Sequence, residues 1–346
     1  MRNHIAKLDL QRLSEFEELL ANKTKPVGSL GLLEEIAKKI CLIQDTAVPS
    51  IIRPTVVVFA GDHGICDEGV SAYPQSVTGA MVLNYLQGGA AINVLAREHN
   101  IDVLVVDAGV KADFIEHSQL IPAKVGCGTR NFLHGPAMSF AQLDEALVKG
   151  KEITDLVFQR GSNTIGFGEM GIGNSSAAAA IMSRICQLPI EQCVGAGTGL
   201  NAAGLAHKVS TLDLALFRAP DVKDPLDVLA HFGGFELAMM CGAMLRAAER
   251  RMVLLIDGFC ATSALLVAHA VAPAITDYCI FSHLSAEPGH RLACERLQGT
   301  PLLHLNMRLG EGTGAALIVP LLRSAVAIVR DMATFSSANV ATGLHQ

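Results

Sequence analysis

The chain has 346 residues, half of them hydrophobic and 17% charged, with a net charge of −6 and a pI near 6.0. That length suits one large domain or a large and a small one, and the composition excludes a disordered or coiled-coil chain. The acidic balance leaves no electrostatic footprint for nucleic acid or an anionic membrane.

In chain order, Ile5, Leu8, Phe16, Leu19 and Leu20 fall at helical spacing, and Leu32, Leu33, Ile36, Ile40 and Ile43 repeat the pattern after a break at Pro26, Gly28 and Gly31. A helical hairpin is predicted at the start of the chain. From Thr55 the texture changes to short β-branched runs: 55–60 before Gly61-Asp62-His63-Gly64, 103–106 before Asp107-Ala108-Gly109, and 253–256 before Asp257-Gly258. Runs apolar on both faces belong to a parallel sheet covered on both sides. Helical patterns at 177–185, 235–248 and 261–271 alternate with them, so the expected class is α/β. In such a sheet ligands gather at the carboxyl ends of the strands, where the glycine-rich motifs fall. Arg246, Arg250 and Arg251 read as a solvated helix end. The run 315–332, interrupted only by Pro320, is predicted to return onto the N-terminal helices as a small helical domain.

Nine cysteines are scattered without a C-x-x-C pair, and acidic residues break up the N-terminal apolar positions. With apolar stretches such as 264–271 far short of the ~20 residues of a bilayer span, a cytoplasmic protein is expected.

The stretch Arg308-Leu309-Gly310-Glu311-Gly312-Thr313-Gly314 places one carboxylate in a glycine-rich turn ahead of an apolar helix. Desolvation there would raise its pKa toward a range useful to a general base; a helix-capping glutamate on a surface loop fits the same letters. The segment 166–176 satisfies G-x-G-x-x-G, which invites a dinucleotide-binding oxidoreductase or a non-catalytic nucleotide-binding module. The acid that should end the next strand is missing, because Glu191 precedes the next apolar run. What remains is a small-residue approach to a helix at Gly171, Gly173, Asn174, Ser175 and Ser176, suited to one phosphate monoester, with Ser175 or Ser176 as a simple N-cap the alternative. Asp62-His63-Gly64 reads as a hydrogen-bonding loop, not a metal site, since no H-x-H or H-E-x-x-H pair occurs. Ser282 to Glu287 reads as turn chemistry. Serine-nucleophile and P-loop kinase motifs are absent.

Six segments taken together, 25–31 (KPVGSLG), 62–64 (DHG), 167–174 (FGEMGIGN), 255–259 (LIDGF), 282–287 (SHLSAE) and 307–312 (MRLGEG), resemble the nicotinate-nucleotide:dimethylbenzimidazole phosphoribosyltransferase family of the lower-ligand branch of cobalamin biosynthesis, across nearly the whole chain. The resemblance implies a Rossmann-like parallel sheet as a large catalytic domain at 49–317. It also implies a small helical domain from 1–48 and 318–346, and a homodimer whose active site draws on both subunits. It implies transfer of the 5-phosphoribosyl group of nicotinate mononucleotide to a benzimidazole nitrogen with inversion, without cofactor or metal, giving α-ribazole 5′-phosphate and nicotinate. Glu311 matches the general base, with Gly310 and Gly312 beside it; Glu169, Gly171, Gly173 and Asn174 match the phosphoribosyl loop. Lys208 and Ser285 match positions near the nicotinate and phosphate groups, and Asp257 another substrate-site position. Some members carry Ser and Gln where Tyr73 and Met81 align here, so the base preference is expected to differ.

Overall fold

The computed structural model describes residues 5–197 and 199–341. Six strands, β1 (Thr55–Gly61), β2 (Asp102–Gly109), β3 (Leu120–Pro122), β4 (Thr164–Met170), β5 (Val253–Ile256) and β6 (Cys279–Phe281), form one parallel sheet in the order β3-β2-β1-β4-β5-β6. The chain builds outward from β1 on one side, returns to the middle with β4, and builds outward on the other. The order therefore reverses between β1 and β4, and the crevice beyond their carboxyl ends is where a doubly wound sheet binds ligands. Every residue of β1, β5 and β6 is buried, which is why these strands read as unbroken apolar runs.

The helices are α1 (Leu13–Ala21), α2 (Leu32–Gln44), α3 (Ser76–Leu86), α4 (Ala91–Glu98), α5 (Phe140–Gln159), α6 (Asn174–Cys186), α7 (Ile190–Cys193), α8 (Ala202–Arg218), α9 (Pro225–Phe232), α10 (Phe235–Glu249), α11 (Phe259–Val271), α12 (Pro288–Arg296) and α13 (Thr313–Asp331). α10 lies across β1, β2, β4 and β5 and is backed by α5. These two helices approach to backbone contact: a Cβ on Gly150 would run into the Met239 carbonyl, and one on Gly242 into that of Leu147. α5 starts in a capping box, Ser139 Oγ accepting from Gln142 N–H and Gln142 returning the bond.

Three expectations need correction. Residues 5–9 are not helical: Leu8 N–H donates to Asp277 and Ala6 O accepts from the Tyr278 hydroxyl, so this segment straps across the 276–278 turn, and a 3-10 turn capped by Asp9 precedes α1. The arginine cluster is not a solvated helix end. Arg246 and Arg250 hold Asp155 of α5 at 2.9 and 2.8 Å, and Arg251 donates to the carbonyls of Leu42 and Ile43 at the end of α2. Gly166 and Gly168 lie inside β4, not in a phosphate-binding turn.

The N- and C-terminal segments meet: α13 packs on α2 and α4, Lys23 bridges to Thr334, and Thr24 N–H and Phe335 N–H donate across the same junction. α13 runs without a break through position 318. It is the one helix among the described residues long and apolar enough to cross a membrane, yet Ala315, Ala316, Ile318, Val319, Leu322 and Ala325 are fully buried, as in a core helix.

Candidate active site

The loop after Leu309 turns left-handed three times in succession, with φ +82° at Gly310, +64° at Glu311 and +83° at Gly312. A non-glycine residue held there costs about 1 kcal/mol or more, so the surroundings must fix it. They do so by backbone bonds. Glu311 N–H donates to the Glu169 carbonyl at the end of β4, and Gly312 N–H to Asp257 Oδ2 at 3.2 Å. Gly168 shows why β4 carries glycine: a Cβ there would strike the Glu311 carbonyl.

Asp257, at the end of β5, caps α13. Its Oδ1 accepts from Gly314 N–H at 2.7 Å and Ala315 N–H at 3.1 Å. Burial nonetheless pushes its pKa up to about 7, with the three backbone bonds pulling the other way. His283, at the end of β6, places Nδ1 3.8 Å from Asp257 Oδ1.

The Glu311 side chain is buried. One oxygen accepts from Ile92 N–H in the first turn of α4 at 3.2 Å, and Tyr85, a buried phenol of α3, acts on the same carboxylate. Desolvation raises the Glu311 pKa; the Ile92 and Tyr85 contacts oppose that only in part. Next to it Glu169 is pushed up to about 8, first by desolvation and then by the charges of Asp257, Glu236 and Glu311. Asn174 donates to Glu169, linking this carboxylate cluster to the start of α6.

At that start the character of the site inverts. Gly173, at φ +97°, is the N-cap of α6; neither Ser175 nor Ser176 caps it. Ser175 instead accepts from Lys208 Nζ of α8 at 2.9 Å, and Ser176 Oγ is buried without a partner. Lys208 is only 1% exposed, and desolvation lowers its pKa. Gly171, Gly173, Asn174, Ser175, Gly197 and Lys208 line a hollow of about 20 Å³, room for one water-sized group at a helix N-terminus. A roomier cavity, about 940 Å³, lies elsewhere, between the N-terminal strap, α2 and the 273–302 region, and touches none of the candidate residues.

The candidates therefore group unevenly. Glu311, Gly310, Gly312, Glu169, Asp257, Asn174, Gly171, Gly173 and Lys208 surround the carboxyl ends of β4 and β5. Ser285 is buried nearby, its N–H donating to His290 Nδ1 and its hydroxyl accepting from Glu287 N–H. Tyr73 is exposed on the turn before α3, and Met81 is half-buried on α3. Among the described residues no group of three His, Cys, Asp or Glu side chains is arranged to hold a metal ion.

Residues 5–340 match the phosphoribosyltransferase family DBI_PRT. The chain belongs to this family. It is 52% identical over 342 residues to a nicotinate-nucleotide–dimethylbenzimidazole phosphoribosyltransferase of Ralstonia nicotianae, covering 98% of this chain and 97% of the relative. It is 55% identical over 322 residues to the protein of the same name from a Janthinobacterium species, covering 92% of each. Among solved structures, CobT from Thermus thermophilus superposes with a TM-score of 0.93 at 43% identity, over 96% of this chain and all of that one. This DBI_PRT chain gives no support to the oxidoreductase or non-catalytic readings of its glycine motif.

Three features of the site went unread in the sequence. Tyr85 and Ile92 N–H, which flank Glu311, carry no motif. Glu236 pairs with His63 from 173 positions away; its only signal is an acid in the first turn of an apolar helix behind Gly233-Gly234.

Proposed function

We propose that this phosphoribosyltransferase moves the 5-phosphoribosyl group of nicotinate mononucleotide to 5,6-dimethylbenzimidazole or a related base, releasing nicotinate and giving α-ribazole 5′-phosphate. The leaving pyridinium is already cationic, so its departure needs little acid assistance. The attacking benzimidazole is neutral and must lose the proton of its second ring nitrogen. Glu311 takes that proton. The observation that carries this reading is the Glu311 carboxylate itself: buried, desolvated, raised in pKa and locked by a strained loop at the switch point of the sheet.

The phosphate of the donor goes to the start of α6, where backbone N–H groups, the helix dipole and the Lys208 ammonium supply positive potential. Glu169, near neutrality at physiological pH, carries hydrogen-bonding capacity between the two ends without adding a full charge beside Glu311. Asp257 acts by holding the loop. Tyr73 and Met81, on the α3 side, shape the base pocket, and Ser285 supports the β6 side. Fixing two substrates in line supplies much of the remaining acceleration.

The terminal segments joined at Lys23 and Thr334 form the small helical unit, and a second copy completes the site in a homodimer; exposed Tyr73 and Leu309, each close in sequence to the site, suit such cover. All nine cysteines are free thiols, which fits a reducing cytoplasm. The test is a mixed-base assay with nicotinate mononucleotide, read by mass spectrometry of the α-ribotide product. Preference for adenine or phenols over dimethylbenzimidazole would remove that base from the claim, and a lack of nicotinate release would remove the reaction.

A further inference from the structure

His63 and Glu236 are among the most deeply buried polar side chains in the molecule, each with no exposed surface, and neither is needed by the chemistry above. His63 stands two residues beyond β1. Its Nε2 lies 2.6 Å from Glu236 Oε1, a charge-assisted length. Each partner keeps one polar atom without a hydrogen bond, Nδ1 on His63 and Oε2 on Glu236. Apolar groups of the same size would fill this space as well, so packing alone does not account for the pair.

Its surroundings point to the phosphate loop. A Cβ on Gly171 would collide with the Gly61 carbonyl and come within 3.3 Å of His63 Nε2; one on Gly173 would lie 3.2 Å from His63 Cβ. A side chain on Gly234 would strike both Glu236 and the His63 ring. The imidazole thus lies beneath Gly171, while His63 Cβ and Cys66 Sγ lie beneath Gly173, and Glu236 holds the ring to the N-terminus of α10, where the helix dipole favours its charge. The His63 backbone serves the other side of the site: its carbonyl accepts from Gln75 at the start of α3, while Thr78 of α3 accepts from Ile172 N–H in the phosphate loop at 3.1 Å. One residue is therefore tied to both substrate-facing segments.

We propose that His63 and Glu236 form a positioning dyad that sets the height of the Gly171–Gly173 loop and thereby the aim of the α6 N–H groups and Lys208 at the donor phosphate. The dyad touches no substrate; it acts through the loop. This rests on the phosphate assignment of the reaction proposed above.

The test compares His63→Leu, His63→Gln and Glu236→Gln with the wild-type chain. Gln at 63 keeps a donor where Nε2 stands, Leu removes it, and Gln at 236 removes the charge while keeping an acceptor. The expected result is a KM for nicotinate mononucleotide raised at least tenfold in His63→Leu and at least threefold in Glu236→Gln. The KM for dimethylbenzimidazole stays within twofold, and His63→Gln returns to within about threefold of wild type. A structural role would lower the active fraction and Tm with KM unchanged, and that outcome overturns the proposal. Where His63→Leu does not fold, Glu236→Gln decides by its own threshold. Calorimetric titration with inorganic phosphate separates the two claims. Loss of phosphate affinity in the variants of a chain that releases no nicotinate would sink the reaction but keep the dyad; wild-type affinity in a folded variant would sink the dyad alone.

Discussion

The two ends of the site solve opposite electrostatic problems. Around Glu311, three acids (Glu169, Asp257 and Glu311) crowd a buried region. The cost of charge there appears at Glu169, Asp257 and Glu311 as pKa values raised by burial, and at the first two also by neighbouring carboxylates. Around Gly173, positive potential comes from the N-terminal end of the α6 dipole and one desolvated ammonium, with little side-chain bulk. A hydrogen bond from Asn174 to Glu169 joins them directly. A proton is to be removed at the first end and an anion held at the second, and each end is desolvated in the sense that sharpens its task.

The comparison breaks most sharply at Glu311. Glu311→Gln keeps the volume and the acceptor for Ile92 N–H, so the fold should stand while kcat falls by roughly a hundredfold or more, the size of a general-base contribution. Steady-state kinetics beside a thermal melt check this, and near-normal turnover would take the role from Glu311. The pH profile follows with a definite sign. A base works only when ionised, and burial raises its pKa, so kcat/KM should fall on the acid side at a pH above the ordinary carboxylate range of about 4.3. That limb should be missing from the residual activity of Glu311→Gln.

Lys208→Met tests the other end. It removes the ammonium but keeps an apolar stem, and should raise the KM for nicotinate mononucleotide about tenfold or more while leaving that of the base within twofold, because one charge-assisted contact to a phosphate is worth on the order of 1.5–3 kcal/mol. Equal effects on both substrates would mean that the two ends are not separate. Gly171 is a poorer probe. Its missing side chain faces the Gly61 carbonyl, so any larger residue disturbs the loop before it crowds an anion.

The parts of this architecture that depend on local pattern were readable in the residues. Unbroken apolar runs ending in Asp or Gly placed β1, β2 and β5, and the lone carboxylate among Gly310, Gly312 and Gly314 marked the loop before α13. What could not be read depends on pairings across the sheet. Gly166 and Gly168 look like a phosphate turn because nothing local tells that the backbone of the Glu311 loop must pass over that strand. Arg251 looks solvated until the end of α2 arrives beneath it. His63 gives no hint of Glu236, and residues 5–9 lose their helix to contacts with 277 and 278.

At the hinge between the two ends, Asp257→Asn leaves one acceptor where two served three N–H groups, and should lower stability by about 1–2 kcal/mol, the usual range for a lost helix cap, read as a lower Tm.

The smallest expected effect is also the most specific to the carboxylate end. Glu169 has a folded pKa of about 8 against an ordinary 4.5, so the folded chain binds this proton more tightly than the unfolded one. Its contribution to stability is then complete below about pH 4.5 and drains away as the pH rises through about 8. Glu169→Gln still accepts from Asn174 but has no proton to lose. Between pH 6 and 9 the wild-type Tm should therefore fall by a few degrees more than that of the variant, the difference carrying the Glu169 proton together with its coupling to Asp257 and Glu311. Parallel melting curves would mean that Glu169 is already ionised at neutral pH, and that the carboxylate end holds more charge than its burial favours.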